Sequence, residues 1–242
     1  MGHWKNTLCL SAAIWGVSSV FSSQAFAQDG SWILDARLRA EVVQQDGRKD
    51  AEALTLRARA GYDYKISERW SILGEAEGVL HLNDSFADTV ETRPGYAVVA
   101  DPEALEINRL QIAYKDDKTA ATLGRQRIIL GGARFVGNVG FRQNEQTFDA
   151  FRISRKVTDA VKAEYVYIDR VHRIFGDDSP VGEFKSDSHI LQIETQTNIG
   201  NITGYGLLLD FDNAAGASGQ TWGARWSKGF KSDAGTIKLS AE

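Results

Sequence analysis

The chain has 242 residues, with 28 Lys+Arg against 32 Asp+Glu, a formal charge of -4, 43% hydrophobic residues and 25% charged residues. These proportions exclude a disordered or low-complexity chain, and the slightly acidic balance excludes a basic nucleic-acid binder. A mean hydropathy of -0.30 does not exclude membrane insertion, because transmembrane β-strands hide their apolar face in alternation.

Residues 1–27 read as a secretory signal. Lys5 supplies the positive start, a mostly apolar stretch runs from Leu8 to Phe21, and Ala25-Phe26-Ala27 is a small-x-small cleavage site. The apolar stretch is too short and too broken by serine to span a bilayer as a helix. Cleavage leaves residues 28–242, and since the single cysteine is Cys9, the exported chain holds none. Its fold relies on neither disulfides nor thiolate metal sites.

From residue 32 onward, apolar and polar residues alternate over stretches of about ten, the period of a strand and the length that crosses a tilted bilayer path. In 32–43 the even positions Trp32, Leu34, Ala36, Leu38, Ala40 and Val42 are apolar, while Asp35, Arg37, Arg39 and Glu41 are charged. In 54–64 the positions Leu54, Leu56, Ala58, Ala60, Tyr62 and Tyr64 stand opposite Thr55, Arg57, Arg59 and Asp63. In 70–82, Trp70, Ile72, Ala76, Leu80 and Leu82 oppose Glu75, Glu77 and His81. Eight further strands are expected at 105–114, 119–127, 147–154, 161–169, 188–196, 201–211, 221–230 and 235–242. Leu105 and Ile107 are out of phase with Leu110, Ile112 and Tyr114, as a bulge would make them.

Connections alternate between long (44–53, 83–104, 128–146, 170–187, 212–220) and short (65–69, 115–118, 155–160, 197–200, 231–234). Strands that run up and down through a bilayer, with short periplasmic turns and long extracellular loops, have this pattern. A secreted sandwich also alternates, but its strands are shorter, and its polar face does not need such closely spaced opposite charges. Tyr and Trp towards strand ends match interfacial girdles. The expected fold is therefore all-β: an antiparallel transmembrane β-barrel of the bacterial outer membrane, occupying 28–242. Eleven is an odd number and the last strand is still alternating at Glu242, so the sequence reads as a C-terminally incomplete part of a barrel of roughly sixteen to eighteen strands.

Residues 123–152 add Leu123-Gly124-Arg125-Gln126-Arg127-Ile128, a Gly-rich loop, and Thr147-Phe148-Asp149-Ala150-Phe151-Arg152. With the Arg-rich N-terminal strands, this text resembles the alginate export family of outer-membrane porins over roughly 30–242. The resemblance implies a large barrel whose arginine-lined lumen admits polyuronates, oligosaccharides or small acids.

The candidate path residues are Arg37, Arg39, Arg57, Arg59, Arg109 and Arg152 on strands, and Arg125, Arg127, Arg134 and Arg142 around the third long loop. A wall arginine beside an acid on a neighbouring strand is structural, whereas a permeation role needs arginines in excess at one level. Counted along the chain, the last four satisfy this, with Glu145 the only acid between 124 and 146. Gly131, Gly132, Gly137 and Gly140 let that loop bend. It is either a hydrated extracellular loop or a constriction folded into the lumen that presents guanidinium groups to anions. Transport would be passive, with outer-membrane lipid and lipopolysaccharide around the barrel and no cofactor or metal. Asp177 and Asp178 are weak candidates for divalent cations. The competing readings are a barrel enzyme of lipase or protease type and an adhesin or structural anchor. No G-x-S-x-G occurs, and His81, His172 and His189 share no ligand spacing.

Overall fold

Strict alternation is stable only where the two faces of a sheet meet different surroundings, and each alternating segment enters a sheet of that kind. The computed structural model describes residues 29–90, 93–232 and 235–242, so the expected leader at 1–27 lies outside the described residues. The strands are β1 (Gly30–Val43), β2 (Ala51–Lys65), β3 (Trp70–His81), β4 (Ala104–Lys115), β5 (Thr119–Gln126), β6 (Thr147–Lys156), β7 (Val161–His172), β8 (Glu183–Thr197), β9 (Gly200–Leu209), β10 (Gly219–Ser232) and β11 (Gly235–Ala241). They lie in one sheet in chain order, each antiparallel to the next. This order puts 44–50, 82–103, 127–146, 173–182 and 210–218 at one end, and 66–69, 116–118, 157–160 and 198–199 at the other.

The short turns are closed by their own side chains. Asp116 accepts hydrogen bonds from the Tyr114 hydroxyl (2.8 Å) and from the amides of Lys118 (2.9 Å) and Thr119 (2.7 Å). The phenol first, then the two amides, hold its carboxyl at about 2. At the same end Trp32 packs on Tyr62 (4.9 Å between centroids) and Trp70 on Tyr114 (5.0 Å), forming the expected aromatic girdle.

The expected phase change in β4 is a bulge. Glu75 pairs with Arg109 and Ala76 with Ile107, which leaves Asn108 as the extra residue. Two further register shifts, where β7 meets β6 and β8 near Ile168–Arg170, have no counterpart in the sequence reading. They lengthen β8 backwards to Glu183, five residues before its expected start.

One face carries Trp32, Leu34, Leu38, Val42, Ile72, Leu80, Leu105, Leu110, Leu123, Leu191, Ile193 and Trp222, all exposed. An apolar band of this extent is not stable against water, and it matches the hydrocarbon-facing belt of a membrane barrel. The opposite face divides. Across β1–β4 it is ionic, whereas across β6–β9 it is an apolar core of Phe148, Ala150, Val166, Ile168, Ile190 and Leu207, closed by Ile128 and Val136 from the third long loop. Leu207 corrects an expectation here: alternation alone assigns it to the lipid face, yet it pairs with Ile190 and is only 3% exposed. The reason is that a loop covers this part of the inner wall, so an apolar residue is stable there.

Leu38→Arg, near the middle of β1, is expected to cost about 2–4 kcal/mol of assembly, against about 0–1 kcal/mol for Val42→Arg near the rim. The heat-modifiable folded fraction in outer membranes measures both, and equal effects would contradict the depth-dependent lipid face.

Candidate functional site

The site follows from where β5 stops. After Gln126 the chain leaves the sheet and does not return until Thr147, and the intervening residues lie on the inner face. The first half of this loop is apolar. Ile128 and Val136 are buried in the β6–β9 core, with Leu130 against the same cluster, and Phe135 reaches Tyr205 (6.4 Å between centroids). Gly131 has φ +59 and lies so close to the Arg225 guanidinium of β10 that a Cβ would overlap it. Ala133 (φ 59) and Val139 (φ 49) adopt the left-handed region without being glycine. Such conformations cost on the order of 1–3 kcal/mol each and persist only when surrounding contacts determine them.

The second half of the loop supplies those contacts on the ionic side. Arg37 donates to three successive carbonyls, Gly140 (3.1 Å), Phe141 (2.8 Å) and Arg142 (3.1 Å). Gln143 is fully buried and donates to the Thr55 hydroxyl (2.8 Å), and its amide N–H donates to Asp101 Oδ1 (2.8 Å). Asp101, from the 82–103 connection, also pairs with Arg39 and accepts from the backbone of a second long loop, so it joins two loops to one wall. Phe141 lies under the guanidiniums of Arg39 (4.5 Å) and Arg142 (5.5 Å).

Glu145 is the centre of the network. It accepts from Arg127 Nε (2.7 Å), Asn108 (2.7 Å) and Asn138 (3.0 Å), and lies 3.7 Å from Arg59. Burial would push its carboxyl up, but the hydrogen bond from Arg127 and the charges of Arg59 and Arg127 outweigh burial and hold it at about 2. The β4 bulge is what turns Asn108 to this point, where it also donates to Glu75 (2.7 Å).

The ten candidate arginines separate into groups. Arg37, Arg39, Arg57, Arg59 and Arg109 share the inner wall, and all but Arg37 meet acids there: Arg39 pairs with Glu41 and Asp101, Arg57 with Asp35, Arg59 with Glu77, and Arg109 with Glu75 in a two-point contact of 2.9 and 2.6 Å. Arg127 and Arg142 reach this network from the loop, Arg127 through Glu145 and Arg142 through Glu41 (3.1 Å). Arg152 pairs with Glu164 (2.9 Å) beside Lys162 on β7. Arg134 stacks on Phe135 (5.3 Å). Arg125 stands apart. It pairs in register with Leu110 and Asp149, on the parity of Leu123 and Phe151, and its guanidinium is held by Asp149 (3.0 Å) and the Ile107 carbonyl (2.9 Å).

The local excess of arginine therefore needs correcting. Arg125, Arg127 and Arg142 are each paired with an acid, and two of those acids, Asp149 and Glu41, lie outside the segment in which charges were counted. Sheet pairing brings distant carboxylates to a loop, so a count along the chain misses them. Asp101, Gln143 and Asn108 were missed for the same reason, although the phase change at Asn108 marked its position. Thr55, on the polar face of its strand, is 1% exposed beneath Gln143.

No family model matches the chain, and no curated protein matches it. Solved structures match over most of its length, among them OccAB4 of Acinetobacter baumannii (TM-score 0.60, 14% identity, 85% of this chain and 56% of that one) and OccAB1 of the same organism (TM-score 0.62, 13% identity, 91% and 54%). The fold is that of an outer-membrane porin barrel. The chain spans little more than half the length of either of these structures. At this identity the likeness carries the barrel fold alone, without the alginate-export resemblance.

Because the Glu145 carboxyl is held below its usual value, its contribution to loop docking is complete above about pH 4.5 and is lost as pH falls through about 2. Loop residues 138–145 should lose protection from hydrogen exchange across that interval, and an unchanged rate at pH 2 would contradict the anchoring. Thr55→Arg should displace Gln143 and release the loop. The expected readout is trypsin cleavage at Arg134 and Arg142 in intact membranes, where the parent protein resists it.

Proposed function

We propose that this chain forms the greater part of an outer-membrane channel through which small anionic or polar solutes diffuse passively, with loop 127–146 as its constriction. The observation that carries the reading is the loop's course across the inner face, tied to both the ionic and the apolar walls. A loop held across a lumen narrows it, and the groups at its edge then act on any solute that passes. The porin-type fold supports the coarse reading of a channel in the outer membrane. The outer face then meets membrane lipid, with lipopolysaccharide at the long-loop rim.

The preference for anions rests on how the charges are shared. Glu41 and Asp101 each serve both Arg39 and Arg142, Glu77 serves Arg57 and Arg59, and Glu145 serves Arg59 and Arg127. Arg37 is bound to carbonyls rather than to a carboxylate. Asp35 also serves Arg57, so these five guanidiniums face five carboxylates, and the residual positive potential of the wall rests on Arg37. Planar guanidinium pairs suit the carboxylates of small acids or polyuronates, the solutes that the resemblance at 123–152 points to.

Single-channel reversal potentials of the whole protein in a salt gradient test this. Anion preference is expected at low salt and should fade as the Debye length falls from about 10 Å at 0.1 M to about 3 Å at 1 M. Replacing Arg127 and Arg134 together by Gln should weaken it while the barrel stays assembled. Cation selectivity, or no change in the double variant, would remove these arginines from permeation.

A further inference from the structure

Below its apolar core the inner face turns polar. Towards the short turns, β7 passes from Val166 to Glu164 and Lys162, and β8 from Ile190 to Gln192 and Glu194. Arg152 of β6 and Arg225 of β10 complete this surface, and residues 129–131 of the inner loop roof it over a cavity of about 170 Å³. Arg225 stands on the same row as Glu194, with Thr203 between them, and its guanidinium lies against the left-handed Gly131. Three of the charges around this cavity are committed to one another. Arg152 Nη2 donates to both Glu164 oxygens (3.1 and 2.9 Å), and Lys162 lies 3.8 Å from the same carboxylate. Among the described residues, Arg225 and Glu194 make no ion pair and no side-chain hydrogen bond. Glu242, which flanks Arg225 on the β11 side, accepts the Tyr205 hydroxyl instead.

We infer that this cavity is a solute subsite on the short-turn side of the loop, which takes a small hydroxy acid with its carboxylate on Arg225 and its hydroxyl on Glu194. The subsite rests on the channel reading, since a solute reaches it by way of the lumen. Arg225 offers a planar fork that matches a carboxylate, and the loop partly withdraws it from water with no acid in compensation. Glu194 only accepts, so the group that meets it is a donor. Charge makes that donor a hydroxyl and not an ammonium. Three cations and two acids line the cavity, which leaves one positive charge, and a hydroxy acid cancels it while a zwitterion does not. Size sets the other limit. A cavity of about 150 Å³ holds benzene, so this one takes a solute of about six non-hydrogen atoms. Gln192, in the same wall, offers both a donor and an acceptor to a further hydroxyl.

Lactate, propionate and alanine share a three-carbon skeleton and carry a hydroxyl, a hydrogen or an ammonium beside the carboxylate. Their dissociation constants for the whole protein in detergent, measured by titration calorimetry, report the subsite without any permeation. Lactate should bind about tenfold more tightly than propionate or alanine, the difference carried by one hydrogen bond to a charged group. Glu194→Ala should remove that advantage and leave propionate as it was, which also shows that the variant is folded. Arg225→Gln should weaken lactate and propionate together. Equal binding of lactate and propionate, tightest binding of alanine, or a lactate advantage that survives Glu194→Ala would overturn the subsite. Lost binding in a channel that still prefers anions would strike the subsite alone, whereas cation selectivity with lactate still held by Arg225 and Glu194 would uphold it and strike the anion preference.

Discussion

The structure depends on one electrostatic constraint: arginines drawn to one face of β1–β4 need carboxylates and carbonyls close by once a loop covers them. Leaving a buried charge without its partner typically costs about 3–5 kcal/mol. Arg59 and Glu77 are nearly buried, and Glu145 more so, which makes the pairing of wall and loop obligatory. The loop's conformation follows from it. The left-handed Ala133 and Val139, the close approach of Gly131 to Arg225, and the buried Gln143 amide belong to a segment held on two sides.

The same constraint explains why the inner face is not uniform. Where the loop is apolar, from Ile128 to Val136, the wall of β6–β9 is apolar as well, and where it carries Asn138, Arg142 and Glu145 the wall is ionic. A single crossing segment thus meets two kinds of surface. The second long connection joins the same arrangement through Asp101, whose carboxylate is shared by Arg39 and the Gln143 amide. The guanidiniums that anchor the loop also set the charge of the inner wall, so a substitution that alters one acts on the other.

Most of the sheet was legible in the alternation. β1, β2 and β3 could be read because a face buried in lipid and a face paired with charges impose opposite chemistry at every step, and the phase slip at Asn108 announced the bulge. The site was less legible. Leu207 looks like a lipid-facing residue because a covered inner wall and a lipid-facing outer wall demand the same side chains. Arg125 and Arg142 look unpaired along the chain because Asp149 and Glu41 come to them through sheet pairing and loop folding. Gly131, Gly132, Gly137 and Gly140 marked the loop as bendable, but the direction of the bend was decided by Thr55, Arg37 and Asp101 far away in sequence.

The most direct measurement is a proximity test between Thr55 and Gln143. With Thr55→Cys and Gln143→Cys introduced together and Cys9 replaced by Ser, a short bis-thiosulfonate reagent should join them in outer membranes and change the mobility of the unfolded band. A thiol at 143 should meanwhile be shielded from a membrane-impermeant reagent applied to whole cells. Failure to cross-link, with that thiol labelled from outside as fast as an exposed one, would place loop 127–146 outside the barrel and contradict the account.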